Sequence, residues 1–203
     1  SISLNSEREK MFDFSSPYGY MAAEKIDALT AKHGRTTDWH PVLLGAIFKT
    51  TGAQPPAGVP IKGDYFTHDF ARSARLLGVA YKQPSVFPIA SIAASRAVYW
   101  LKDRDVEKSK ALVRALYKAF FVEDRDIQNA EVVLDVAAKL GIDRDELNAG
   151  LNDQAVKDRL KNEVQQAMDK GVFGSPYIII DGEPFFGADR LDQVDKWLTT
   201  GGW

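Results

Sequence analysis

No cysteine occurs anywhere in the 203 residues. That absence excludes a disulfide framework and a thiolate metal site. Any thiol chemistry must therefore use a thiol brought by a ligand. A marked excess of either charge is absent too. Lys and Arg number 26 against 28 Asp and Glu, a net charge of −2, which points away from nucleic acid and anionic membranes as partners. No run approaches the roughly 18 apolar residues that a membrane span requires. His33, His40 and His68 share no ligand spacing, so no metal site is expected. Residues 1–10 lack an apolar stretch and carry Glu7, Arg8, Glu9 and Lys10. They read as an N-terminal tail, not a signal peptide, and a cytoplasmic location is the default expectation.

The chain does hold enough apolar residues, 45%, for a sizeable core. Met11 to Phe14 reads as a short strand with Phe12 and Phe14 on one face. Ser15 or Ser16 then supplies an N-cap, and Pro17 suits the first helical turn because its missing N–H has no partner there anyway. Met21, Ala22, Ile26 and Leu29 follow at helical spacing, and Gly34 ends that helix. Thr37 to Leu44 reads as a second strand, with Pro41 marking an edge or a bend. These pieces form a β-α-β unit with parallel strands.

A loop-rich stretch, 51–63, follows. From Asp64 to about Gly171 the patterns are helical: Asp64–Leu77, Ile89–Lys102, Ser109–Phe121, Ile127–Leu140, Arg144–Leu151 and Ala155–Lys170. Asp126, Asp143 and Asn152 or Asp153 are the expected caps. Strands then return at Tyr177–Ile180 and Pro184–Phe186, joined by the hairpin signal Asp181-Gly182. A last amphipathic helix carries Leu191, Val194, Trp197 and Leu198. The expected architecture is α/β, with 11–63 and 172–203 forming one unit and 64–171 an all-helical insertion.

This order resembles the DsbA-like branch of thioredoxin folds. Ser16-Pro17-Tyr18-Gly19 stands where oxidoreductases of that branch carry Cys-x-x-Cys. It is similar to the Ser-Pro-Tyr/Phe motif of the 2-hydroxychromene-2-carboxylate isomerases and kappa-class glutathione transferases. Further segments share the resemblance, in order: 41–49 (PVLLGAIFK), 54–57 (QPPA), 62–65 (KGDY), 172–176 (VFGSP) and 186–191 (FGADRL).

The resemblance implies glutathione as cofactor or co-substrate. Ser16 takes the place of the serine beside the glutathione sulfur, where its hydroxyl donates to a thiolate and the helix start adds positive potential. Pro17 and Tyr18 complete that motif. On its own residues Ser16 reads first as a helix cap, and the family context reverses that order. Pro176 matches the cis-proline of the fold, and the backbone of Ser175 before it pairs with the peptide-like body of glutathione; otherwise Pro176 is a loop proline. Ala188, Asp189 and Arg190 open the last helix, offering N–H groups to a carboxylate, and Asp189 pairs with the α-ammonium or merely caps the helix. Lys62 reaches the glycyl carboxylate or stays solvated, and Tyr65 fits a place beside the site and a core position equally well. Ala53 departs from the family, whose kappa members carry asparagine there.

Two reactions follow from the resemblance. In an isomerase, reversible thiolate addition turns the double bond of a ring-opened chromene into a rotatable single bond. Lys49 is a basic candidate for the substrate carboxylate, or a surface lysine. Phe48, Phe66, Phe87 and Trp100 are aromatic-wall candidates that read first as core. In a kappa-like transferase or peroxidase, the same thiolate is consumed. A noncatalytic DsbA-like module binding extended peptides is the reading from a different class. A homodimer is expected from the resemblance.

Overall fold

The computed structural model describes residues 8–203. In chain order the elements are β1 (Arg8–Phe12), α1 (Pro17–Ala23), α2 (Ile26–Ala31), β2 (Asp38–Pro41) and α3 (Leu44–Thr51). A 3-10 turn (Pro56–Gly58) leads to α4 (Lys62–Leu77), α5 (Ile92–Lys102), α6 (Val106–Phe121), α7 (Ala130–Ala138), α8 (Arg144–Asn152) and α9 (Gln154–Asp169). The chain closes with β3 (Tyr177–Ile180), β4 (Glu183–Phe186), a 3-10 turn (Ala188–Arg190) and α10 (Leu191–Thr200).

The strands form one sheet in the order β2-β1-β3-β4. β1 pairs parallel to β2 and antiparallel to β3, and β3 pairs antiparallel to β4. This is the β-α-β plus β-β-α arrangement, with Pro41 on one edge strand and Pro184 on the other, where a missing N–H is tolerated.

Alternation along the strands sorts side chains between two cores. Phe12, Ile178, Ile180 and Phe185 face a cluster that holds Tyr20, Tyr117, Phe120 and Phe121. Met11 and Tyr177 face a second cluster with Ile47, Tyr99, Leu160 and Val164. Both clusters mix sheet residues with residues of α5, α6 or α9, so the helical stretch shares its apolar surface with the sheet.

Several local expectations need correction. β1 starts at Arg8, and Arg8 and Lys10 are buried; those residues are strand and not tail, while 1–7 lie outside the described residues. The first helix is broken at Glu24-Lys25 into α1 and α2. β2 ends at Pro41, and residues 44–51 are helical. The N–H of Leu44 donates to the Asp13 carboxylate at 2.8 Å, a cap supplied from 31 residues away, which no local pattern reveals. Asn129, not Asp126, caps α7; Asp143 and Asp153 cap α8 and α9 as read from the sequence.

Candidate active site

The site is built where β1 ends. The chain turns at Asp13–Ser16 and enters α1 with Ser16 as N-cap and Pro17 in the first turn. The Ser16 hydroxyl has two partners. Its oxygen accepts from the N–H of Gly19 at 3.0 Å, and its proton goes to the carbonyl oxygen of Ser175 at 3.1 Å. Both residues are buried. α1 has only 7 residues, so a macrodipole summed along it is small, and the hydroxyl carries more of the local chemistry than the helix does.

Ser175-Pro176 is a cis peptide, in agreement with the sequence reading. The Ser175 side chain matters as well as its backbone. Its Oγ accepts from the N–H of Asp13 at 3.0 Å, tying the cis-proline loop to the end of β1. Gly19, where the oxidoreductase motif has its second cysteine, is tightly enclosed. A Cβ there would stand 2.7 Å from both Ser175 Oγ and Tyr117 Oη, closer than real Cβ contacts allow.

Asp13 is the residue that sequence reasoning missed. Its carboxylate is buried and accepts from Ser15 N at 2.9 Å, Leu44 N at 2.8 Å and Ser91 Oγ at 2.7 Å. Its carbonyl accepts from Tyr117 Oη at 2.9 Å and from Ser16 N at 3.0 Å. Burial pushes the carboxyl above the usual range, against hydrogen bonds that favour the ionised form. The signal was available: an acid between Phe12 and Phe14 at the end of an apolar strand is seldom buried without partners.

Tyr18 points toward α4. Its hydroxyl donates to Asp69 at 2.5 Å, and its ring meets Phe70 edge-on at 5.1 Å. Asp69 also accepts from Arg72 at 2.6 Å and Ser73 at 2.9 Å. Burial first, then the Asp69 bond and nearby charges including Asp189, push the Tyr18 phenol well above its usual range. Burial would lift the Asp69 carboxyl, but its three donors outweigh that and hold it below the usual range.

Lys62 is the first residue of α4 and is exposed. Tyr65, one turn on, is 58% exposed, and its hydroxyl accepts from Arg72 at 3.1 Å. It is therefore a surface residue on the Tyr18 side of α4 and not a core aromatic. Ala188, Asp189 and Arg190 form a 3-10 turn ahead of α10, so they do not open an α-helix. Ala188 is buried, while Asp189 and Arg190 are exposed. Gly187 has φ of 110°, and a Cβ there would strike the Asp189 carboxylate. Both α4 and this turn pack against α1. Lys62 and Asp189 form no salt bridge among the described residues.

Lys49 lies in the last turn of α3 and is exposed, about 7.5 Å along the helix axis from Leu44. Trp100 is buried in the core, with Phe66 and Phe87 partly buried against it; Phe48 is half-buried on α3. Phe173 and Phe186 form an aromatic pair that the sequence did not single out. Their rings lie 4.7 Å apart, each 47% exposed, on the two segments flanking Ser175-Pro176. Gly174 has no Cβ to obstruct the Phe186 ring. A cleft of about 490 Å³ lined by Tyr20, Glu24, Arg114 and Lys118 includes none of these site residues.

The family model of the DSBA-like thioredoxin domain matches residues 9–199, and the chain belongs to that family. Within it, the chain groups with the 2-hydroxychromene-2-carboxylate isomerases and the kappa glutathione transferases. It is 27% identical to glutathione S-transferase kappa 1 of Rattus norvegicus, over 94% of this chain and 92% of that one. It is 26% identical to 2-hydroxychromene-2-carboxylate isomerase of Sphingobium xenophagum, over 92% and 95%. A solved 2-hydroxychromene-2-carboxylate isomerase superposes with a TM-score of 0.85 at 24% identity, covering 95% of this chain and 94% of that one.

Proposed function

We propose that the protein is a glutathione-dependent cis-trans isomerase acting on 2-hydroxychromene-2-carboxylate or a related intermediate of aromatic degradation. The observation that carries this reading is a serine hydroxyl at a helix start, beside a cis-proline loop, in a chain with no thiol of its own. When bound, glutathione supplies a thiolate that adds reversibly to a conjugated double bond and frees it to rotate.

The residues present suit that ligand. Ser16 offers a hydroxyl to sulfur, with Pro17 fixing the entry to α1 and Tyr18 locked onto Asp69. The Ser175 backbone beside Pro176 receives a peptide-like segment as an added strand. On the two elements packed against α1, Lys62 and Asp189 present charges with no salt-bridge partner among the described residues, one for a carboxylate and one for an ammonium. Ala188 and Arg190 bring backbone to the same end. Lys49 takes the substrate carboxylate, and Phe173 with Phe186 offers apolar surface to its ring. A cytoplasmic homodimer accompanies this reading.

The second reading is a kappa-like transferase, since a relative with that name matches at 27% against 26% for the isomerase. Turnover of 2-hydroxychromene-2-carboxylate with and without glutathione, while free thiol is counted, separates the two. Isomerisation that needs glutathione and leaves its amount constant is the expected result. No isomerisation, with thiol lost to an electrophile or hydroperoxide, moves the protein to the transferase reading. Failure to bind glutathione leaves only the peptide-binding module.

A further inference from the structure

A hydroxyl has one proton to give, and in this structure Ser16 gives it to the Ser175 carbonyl at 3.1 Å. One of its lone pairs is already taken by the Gly19 N–H at 3.0 Å. In this state Ser16 has no proton to offer a sulfur. Turning the hydroxyl toward a thiolate would leave the Ser175 carbonyl, on a buried residue, short of a donor, which is costly. Among the described residues no backbone N–H reaches that carbonyl to replace it. The Ser175 side chain cannot turn to help, because its Oγ is held by the Asp13 N–H at 3.0 Å.

We propose that the Ser175 carbonyl is a holding acceptor for the Ser16 proton, which makes the site selective for peptide-like thiols over simple ones. This rests on the glutathione reading above. A ligand lying beside Ser175-Pro176 as an added strand brings a backbone N–H to the carbonyl. The N–H takes over as donor, and the Ser16 proton turns to the sulfur, where a bond to a charged acceptor is the stronger one. A small thiol without a neighbouring N–H cannot make this exchange and stays mostly protonated. Ser175 thus acts as a positioning residue, through its carbonyl, and no covalent bond changes.

The test compares glutathione with its depsipeptide, in which an ester oxygen replaces the cysteinyl N–H. Each is bound at saturation, and thiolate absorbance is followed against pH. The bound glutathione thiol should titrate about one unit below the bound ester thiol, a tenfold difference in thiolate near neutrality. In Ser16→Ala the two should titrate together. Equal values in the native protein overturn the proposal and leave the glutathione reading intact. If calorimetry detects no glutathione binding, the reading itself fails. If only the ester fails to bind, a crystal structure of the glutathione complex decides. Ser16 Oγ beyond hydrogen-bond distance of the Ser175 carbonyl supports the exchange; Oγ still donating there, with the ligand N–H on the second lone pair, overturns it.

Discussion

At the scale of single residues the site is a set of buried polar atoms with assigned partners, and Lys10 is the counterexample. It is fully buried, its Nζ has no hydrogen-bond partner among the described residues, and it lies 3.4 Å from the centroid of the Trp39 ring. Burial drives its pKa well below the ordinary lysine range; Asp27 resists this, and Lys110 and Arg114 add to it. The unfolded chain therefore binds the proton more tightly than the folded one. Stability is fully present above the unfolded value of about 10.4 and is lost as pH falls toward the depressed folded value. Lys10→Met keeps the volume and removes the penalty. It should raise the unfolding free energy by about 1–2 kcal/mol at pH 7 and flatten its rise with pH, as measured by urea unfolding from pH 6 to 10. A clear loss of stability would mean that the lysine is held by favourable contacts instead.

Asp13 belongs to the same scale. Ser16, Pro176 and Asp189 were legible because each sits in a short motif with a chemical reason for its residue types. Asp13 stands in plain view in the same segment, but its partners Leu44 and Ser91 are remote in sequence. The flanking Phe12 and Phe14 mark the position as one that can be buried, but nothing local states which groups satisfy the acid there.

At the scale of elements, α1 is held from two sides, by the cis-proline loop through Ser16 and by α4 through Tyr18. The Tyr18 proton is committed to Asp69 at 2.5 Å, so the phenol is a strut and not a donor to a bound thiol. Tyr18→Phe should cost about 1 kcal/mol of stability and leave the thiol pKa of the glutathione complex unchanged. A raised thiol pKa in that variant would assign the phenol a direct role at sulfur.

Element boundaries show where sequence periodicity ran out. The hairpin at Asp181-Gly182 and the caps Asp143 and Asp153 were read correctly because their signals are local. α3 was missed because its first N–H is capped by Asp13, and because Gly45 and a run of apolar residues after Pro41 look strand-like. The break between α1 and α2 falls at Glu24-Lys25, with neither Gly nor Pro to mark it. The sequence leaves Tyr65 between site and core, because helical spacing alone does not tell a core aromatic from one held on the surface by Arg72.

At the scale of the whole molecule, the sheet and the helical stretch are joined by polar as well as apolar contacts. His40 on β2 lies 2.9 Å from Asp38 and 2.9 Å from Glu163 on α9. Burial lowers its pKa, but hydrogen bonds from the ring to these two carboxylates outweigh that and raise it above the usual value. The sign is opposite to that of Lys10. The contribution is complete below the unfolded value of about 6.5 and is lost as pH rises through the raised folded value. The melting temperature of the native protein relative to that of His40→Gln should fall from pH 5.5 to 8.5, whatever slope Lys10 and the rest of the chain give to both proteins. Equal slopes in the two proteins would show that the link contributes nothing.

The order of strands and the position of the helical stretch were legible in the sequence, since each depends on long, strongly patterned segments. The shared core was not, because the pairing of Phe12 and Phe14 with Tyr117, at ring separations of 5.8 and 5.1 Å, joins residues about a hundred positions apart.

The central claim is that this thiol-free chain activates the thiol of its ligand through Ser16. The direct measurement is the pKa of the thiol of bound glutathione, from thiolate absorbance, in the native protein and in Ser16→Ala. A free thiol titrates near 8.5, and a hydrogen bond to a charged group, about 1.5–3 kcal/mol, lowers that by roughly one to two units. The account predicts a lowered value in the native complex that returns most of the way in the variant, with binding retained. Identical titrations in the two proteins would reduce Ser16 to a helix cap and contradict it.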